Sequence, residues 1–255
     1  SDLIQILARG SSSDSLVALY REMMDALPPG TPDGQPVAAV LEAPSRLGEV
    51  LSAAGRPAEA DGALNQALGW YDGIASRSPG TSLEVAAYVQ KANVLARLQR
   101  PREADAVLTE ARRLAAAGPV EAGIIFSQAV LREQILRDPL GAVPVYREII
   151  ARFPDSSPAA QARLRLGIAF ATAGRPDSAL AAFQEVETAH ARQPAIAAQA
   201  RWFGAKVLME SGRESEALRQ LRALQGDFPR TEPALRAPLD IASHYEKAGD
   251  LRAEA

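Results

Sequence analysis

Hydrophobic and polar positions along this chain repeat with a helical period, and the repeat has an anchor. Ala60, Ala104, Ala142, Ala179 and Ala217 recur at spacings of 44, 38, 37 and 38 residues. Four residues after each stands a large side chain: Leu64, Leu108, Tyr146, Phe183 and Leu221. Three further on lie Ala67, Ala111, Ile149, Val186 and Leu224. Positions i, i+4 and i+7 share one face of an α-helix. The segments before each anchor repeat too, as Gly55-Arg56-Pro57, Gln99-Arg100-Pro101 and Gly174-Arg175-Pro176, with Gly212-Arg213-Glu214 a looser copy. Glycine can end a helix in the left-handed conformation, and proline can open the next one. Glu59, Glu103 and Asp177 fall in the first turn, where a negative charge meets the positive end of the helix dipole. Pro154 and Pro229 stand where they can stop the second helix. The pattern predicts helix pairs near 37–54 with 57–75, 82–98 with 101–117, 120–136 with 139–152, 157–173 with 176–191, and 195–211 with 214–227. A single helix follows at 232–248, with Gly249 as its stop. Pro144 lies inside the second helix of the third pair and should kink it or delay its start.

Composition narrows the class. The chain has 255 residues, 47% hydrophobic but only 5% aromatic, and is rich in Ala, Leu and Arg, which lead the helix propensity ranking. β-Branched residues never form alternating runs, so a sheet is not expected. Net charge is −3 with no basic stripe, which disfavours sequence-independent nucleic-acid binding. Only Lys91, Lys206 and Lys247 among the 28 basic residues are lysine, a bias suggesting a G+C-rich bacterial genome. There is no Cys, hence no disulfide and no thiolate metal site. No apolar run approaches the ~20 residues of a membrane span, and no signal peptide is visible.

The stretch from Phe153 to Phe183 adds a more specific spacing: Leu166-Gly167, Phe170, Gly174, Ala179, Phe183. Gly167, lacking a Cβ, lets a neighbouring helix approach, Phe170 and Phe183 fill the space between paired helices, and Ala179 marks their closest approach. The segment resembles the tetratricopeptide repeat family. Residues 37–75 (Leu47, Gly48, Leu51, Gly55, Ala60, Leu64, Ala67) and 195–227 are similar, while 82–117 and 120–152 join them by register. The resemblance implies an all-α fold, a right-handed α-solenoid of stacked antiparallel helix pairs. The period here is longer than the family's ~34 residues. That length and the phrase FPDSSPAAQARLRLG look like the repeats of bacterial envelope proteins, which would make the chain periplasmic or envelope-associated.

Tyr20 and Pro28 stand eight apart, as Tyr146 and Pro154 do. In that register residues 1–27 read as a degenerate repeat, with Leu3, Ile4 and Leu7 on first-helix positions. Residues 28–36, PPGTPDGQP, read as a linker, and 37–255 as the solenoid. The helix at 232–248 carries Leu235, Leu239, Ile241, Ala242 and Tyr245 without a following helix to cover them. A bare terminal repeat exposes its apolar side, so the chain is expected to continue beyond both ends.

Catalytic constellations are sparse. Glu187 and His190 form one Glu-x-x-His, half of a di-iron carboxylate motif, and Ile241 stands where a second copy before His244 would need Glu. No His-Glu-x-x-His, Gly-rich phosphate loop or Gly-x-Ser-x-Gly is present. The reading is a non-enzyme without cofactor or metal.

In the family the first helix of each pair lines a concave groove that holds protein or peptide partners. Carried over, that register implies groove residues Glu42, Ser45, Glu49 and Ser52; then Val89, Asn93 and Arg97; then Ile124, Ser127, Leu131 and Gln134. It continues with Gln161, Leu164, Ile168 and Thr172; Gln199, Trp202, Lys206 and Met209; and Arg236, Leu239, Ser243 and Lys247. Leu131, Leu164, Ile168, Trp202 and Met209 would either form an apolar strip for a peptide or helix or pack between repeats as core. Asn93 fits one position of the family's grip on a terminal carboxylate, but Val89, Gln90, Ile124 and Gln128 occupy the basic positions of that grip. Three functions remain open: a non-catalytic scaffold holding a partner peptide or subunit, an accessory region of a larger, for instance cell-wall-cleaving, enzyme, and a structural subunit of an envelope complex.

Overall fold

The computed structural model describes residues 13–25, 35–190 and 193–248, with side chains described for all of these except 35–38, 247 and 248. The expected positions Leu3, Ile4 and Leu7, most of the 28–36 linker and Gly249 lie outside the described residues. Among those described there are twelve α-helices and no strand. They are α1 (Ser13–Asp25), α2 (Gln35–Ala53), α3 (Pro57–Arg77), α4 (Ser82–Arg97), α5 (Pro101–Leu114) and α6 (Pro119–Val130). After a π-helical turn (Leu131–Ile135) come α7 (Pro139–Arg152), α8 (Ser157–Thr172), α9 (Pro176–Ala189), α10 (Pro194–Glu210), α11 (Glu214–Asp227) and α12 (Glu232–Ala248). The chain forms two compact units, 1–131 and 132–255.

In each unit every helix packs on its sequence neighbours, and alternate helices also touch: α2 with α4 in the first unit, α8 with α10 and α10 with α12 in the second. That pattern is a solenoid of stacked helix pairs, with the first helices side by side on one face. The anchor residues explain the packing. Ala60, Ala104, Ala142, Ala179 and Ala217 are all buried, as are the large residues four later. Gly167 sits against the ring of Phe183, where a Cβ would come within 2.5 Å of Cε1. Gly48 meets Leu64 in the same way, at 3.0 Å. Tyr20 is buried with Val17, Ala43, Leu47, Leu51 and Ala60, so α1 takes the place of a second helix. A side chain larger than Ala at 179 has nowhere to go. Ala179→Leu is expected to cost about 1–3 kcal/mol by overpacking, read as a lowered urea midpoint; an unchanged midpoint would contradict the register.

All five turns inside the pairs use one device. The residue just before the N-cap is left-handed: Gly55, Gln99, Arg137, Gly174 and Gly212, with φ between 53° and 74°. Glycine adopts this conformation freely, whereas Gln99 and Arg137 do so under strain. The N-cap N–H then reaches back five residues, as in Arg56 to the Leu51 carbonyl (2.9 Å), Arg100 to Leu95 (2.9 Å), Arg175 to Phe170 (2.9 Å) and Arg213 to Leu208 (2.8 Å). In the third turn Asp138 reaches back six, to Arg132 (2.9 Å), because the π turn holds one extra residue.

Side chains staple the same turns. Arg56 pairs with Glu59, Arg100 with Glu103 and Arg213 with Glu216, each through two N–H donors. These hydrogen bonds raise the arginine pKa values and lower those of the glutamates. Where the chain has Asp138 at the cap, Gly141 replaces the glutamate and donates its N–H to the Asp138 carboxylate (2.8 Å). Arg56 also reaches Asp14 (2.8 Å) and Arg213 approaches Asp177 (4.0 Å). Asp14 and Asp177 occupy the same repeat position, so the staple doubles as a link to the preceding second helix.

Pro144 neither breaks α7 nor delays its start, contrary to one of the expectations above: the helix runs from Pro139 through it to Arg152. Pro44 in α2 and Pro238 in α12 are likewise interior.

Candidate partner-binding face

The first-helix face differs in chemistry between the units. In the first unit Glu42, Ser45, Glu49, Asn93 and Arg97 converge on a cleft of about 440 Å³, with Arg46, Gln90 and Ala96. Its charges answer one another. Arg97 donates to the Ser45 carbonyl (2.8 Å) and to Glu49 (2.6 Å), and Arg46 bridges Glu49 (3.1 Å) and Glu42 (3.6 Å). Asn93 donates to the Gln90 side chain (3.2 Å). Ser52 is exposed and Val89 half-buried. Ile124 and Gln128 are buried, the latter donating to the Thr109 hydroxyl (3.1 Å), so no carboxylate grip is built around Asn93.

Two of the implied groove residues prove to be core. Leu131 is only 4% exposed and Ile124 is buried with it, because the apolar face of α6 is turned inward along its length. Ser127 is half-buried and bonds the Gly123 carbonyl. Gln134 is exposed in the π turn.

In the second unit Leu164 and Ile168 are half-buried and pack against the cluster of Ala179, Phe183, Val186, Ala200 and Val207. They mainly close the interface between repeats, with only an edge left to solvent. Gln161, Thr172 and Gln199 are exposed. The next two first helices carry the more distinctive chemistry. Trp202 is half-buried on α10, and its indole N–H donates to Asp240 of α12 (2.7 Å). The Lys206 ammonium lies 4.6 Å and the Arg236 guanidinium 5.2 Å from the ring centroid, placing two cations on the negative face of the indole. Phe203 packs edge-on against Trp202 at 5.0 Å and stacks on Phe183 at 5.7 Å, so the core fixes the ring. Beside it Lys206, Met209, Glu210, Asp240, Ser243 and His244 line a cleft of about 290 Å³. Leu239 and Leu235 on α12 are 72% and 69% exposed. The Lys247 side chain is outside the described set.

Asp240, the residue that orients the indole, was not among the expected groove positions. It lies four residues after Arg236 and three before Ser243, on the same helical stripe, which is the signal that could have found it.

Glu187 and His190 are not brought together as ligands. Glu187 pairs with Arg201 (2.5 Å), which also binds Asp227, while His190 Nε2 is buried without a partner. His244 faces Glu214 at 3.6 Å. Among the described residues no group of three or more metal-ligating side chains forms, and no helix is long and apolar enough to cross a membrane.

A solenoid of helix pairs with an aromatic and charged first-helix face is the architecture of a repeat scaffold. Residues 122–238 match the family described as Tetratrico peptide repeat. The chain is also similar in fold to the nearly identical TPR-like repeats from Podosopora anserina, at 16% identity and a TM-score of 0.56 over 76% of this chain and 98% of that one. A single-residue variant of those repeats gives 0.58 over 78% and 100%. BtubC from P. vanneervenii is 19% identical, with a TM-score of 0.54 over 84% of this chain and 90% of its own. No curated protein matches the chain. Tetratricopeptide folds generally mediate protein–protein interaction and are generally non-catalytic scaffolds.

Proposed function

We propose that this chain is a non-catalytic scaffold that holds a peptide or a short segment of a partner protein on its first-helix face, centred on α10 and α12. The observation that carries the reading is Trp202. It is a large aromatic left partly open to solvent, yet held rigid by Asp240 on its polar edge and Phe203 behind it. Rigid, partly exposed tryptophan is the residue type most enriched at binding hot spots. On the strength of the Phe153–Gly167 phrase the proposal extends to a multiprotein complex of the bacterial envelope.

The test is selection of short random peptides on the immobilised chain. Selected peptides should shift the fluorescence of Trp202 in a Trp70→Phe background and lose about 2 kcal/mol of binding on Trp202→Ala. Peptides that bind equally well to Trp202→Ala, and crosslink to the outer faces of α9 and α11, would contradict this reading.

A further inference from the structure

The cations around Trp202 specify more than a generic peptide. Most arginines described above are neutralised within the fold: Arg97 by Glu49, Arg46 by Glu42 and Glu49, Arg201 by Glu187 and Asp227. Lys206 is not. It is exposed, lies over the indole, and has no carboxylate within ion-pairing distance among the described residues. Arg236 has only Glu232, one helical turn back at 3.1 Å, with both side chains more than half exposed. Such a pair is weak and screened, and a bound carboxylate can replace it. The acidic groups at the same place are accounted for differently. Asp240 is engaged by the indole N–H, and Glu210 lies on the far side of Met209 in sequence, at the last position of α10. Beside the two cations, Leu239 and Leu235 present an apolar surface that nothing in the described fold covers.

We infer that the occupant of this face is an acidic–apolar linear segment of a partner protein, one that sets a carboxylate against Lys206 and Arg236 and an apolar side chain against Leu239 and Trp202. The inference rests on the reading of this face as a peptide-binding one and adds the charge of the ligand. Indole contact lowers the entropy of the Lys206 side chain before binding, so less freedom is lost when the carboxylate arrives. The cations also steer an acidic segment toward the face, which makes association salt-dependent.

Three peptide pools built on one apolar scaffold, flanked by Asp and Glu, by Lys and Arg, or by Gln and Ser, distinguish the outcomes through Trp202 fluorescence in the Trp70→Phe chain. The acidic pool should bind on the order of tenfold tighter than the neutral one. Lys206→Glu with Arg236→Glu should cancel that preference or turn it toward the basic pool. Both positions are exposed, and a circular dichroism melt checks that the double variant folds. Neutral or basic pools binding as tightly as the acidic one, with Trp202→Ala still weakening them, would overturn the inference and leave the peptide-binding reading standing. Binding by none of the three pools would overturn both.

Discussion

Phe183→Ala is expected to destabilise the second unit by about 3–5 kcal/mol, the usual cost of emptying a buried phenylalanine site. Three neighbours depend on this ring. Gly167 lies against one of its edges, where a Cβ would come within 2.5 Å. Phe203 stacks on it at 5.7 Å with an interplanar angle of 14°. Ala179, Val186, Ala200 and Val207 complete its surroundings. The cavity cannot close by collapse, because Gly167 and Ala179 have no side-chain length with which to fill it. The contact with Gly167 gives the result a second dimension. Alone, Gly167→Ala gains about 1 kcal/mol of helix propensity but loses about 1–3 kcal/mol to overpacking against the ring, a net loss. In the Phe183→Ala background the clash is gone, and the same change should become stabilising. A double-mutant cycle by urea denaturation reads the change of sign. Gly167→Ala costing the same in both backgrounds would mean that Phe183 does not hold this helix approach. Because Phe203 also backs Trp202, Phe183→Ala should loosen the binding face as well, seen as weaker peptide binding even where the chain remains folded.

The register of this fold was legible because small residues cannot be exchanged where helices meet. Ala at each anchor, a large residue four later and glycine or its substitute at the left-handed turn position are steric requirements, and they appear as identities in the chain. The stapled turns were half legible: acidic residues in the first turn of the second helices were readable, but their pairing with the preceding arginine depends on side-chain reach that spacing does not encode. The π turn was not legible. Nothing in Leu131–Ile135 announces one extra residue, and it surfaces only as the longer reach of the Asp138 N–H. The binding face divides along the same line. Trp202, Lys206 and Met209 could be placed by register, since α10 follows the repeat. Leu131 could not, because whether an apolar residue on a first helix faces solvent or core depends on what packs over it. Asp240 was missed because an acidic residue on a helix is ordinarily a surface residue, and its role comes from an indole 38 positions away.

Tyr146→Ala should cost about 3–5 kcal/mol, and the milder Tyr146→Phe about 1–3 kcal/mol, which isolates one polar contact. Tyr146 on α7 is fully buried, and its hydroxyl donates to the carboxylate of Glu133, itself 8% exposed in the π turn. Arg165 of α8 approaches the other oxygen of the same carboxylate at 3.5 Å. In Tyr146→Phe the packing survives but Glu133 loses a donor, and a buried carboxylate with a missing hydrogen bond is expensive. The cost should fall when Glu133→Gln is added, because an uncharged amide needs the donor less. The pH dependence has a definite sign. Burial, then the hydrogen bond to Glu133 and its negative charge, push the Tyr146 phenol well above its ordinary pKa of 10.0. Burial and the charge of Glu42 do the same for Tyr71, whose hydroxyl donates to the Leu41 carbonyl (2.6 Å). A raised phenol pKa means the native state favours the protonated ring, so the contribution is complete below about pH 10 and is lost as pH climbs further. Wild type should therefore lose stability through the alkaline range, and Tyr146→Phe should lose less, because one of its titrating groups has been removed. Equal midpoints for wild type and Tyr146→Phe at neutral pH, with parallel decline above pH 10, would mean that the Tyr146–Glu133 contact contributes nothing to the second unit.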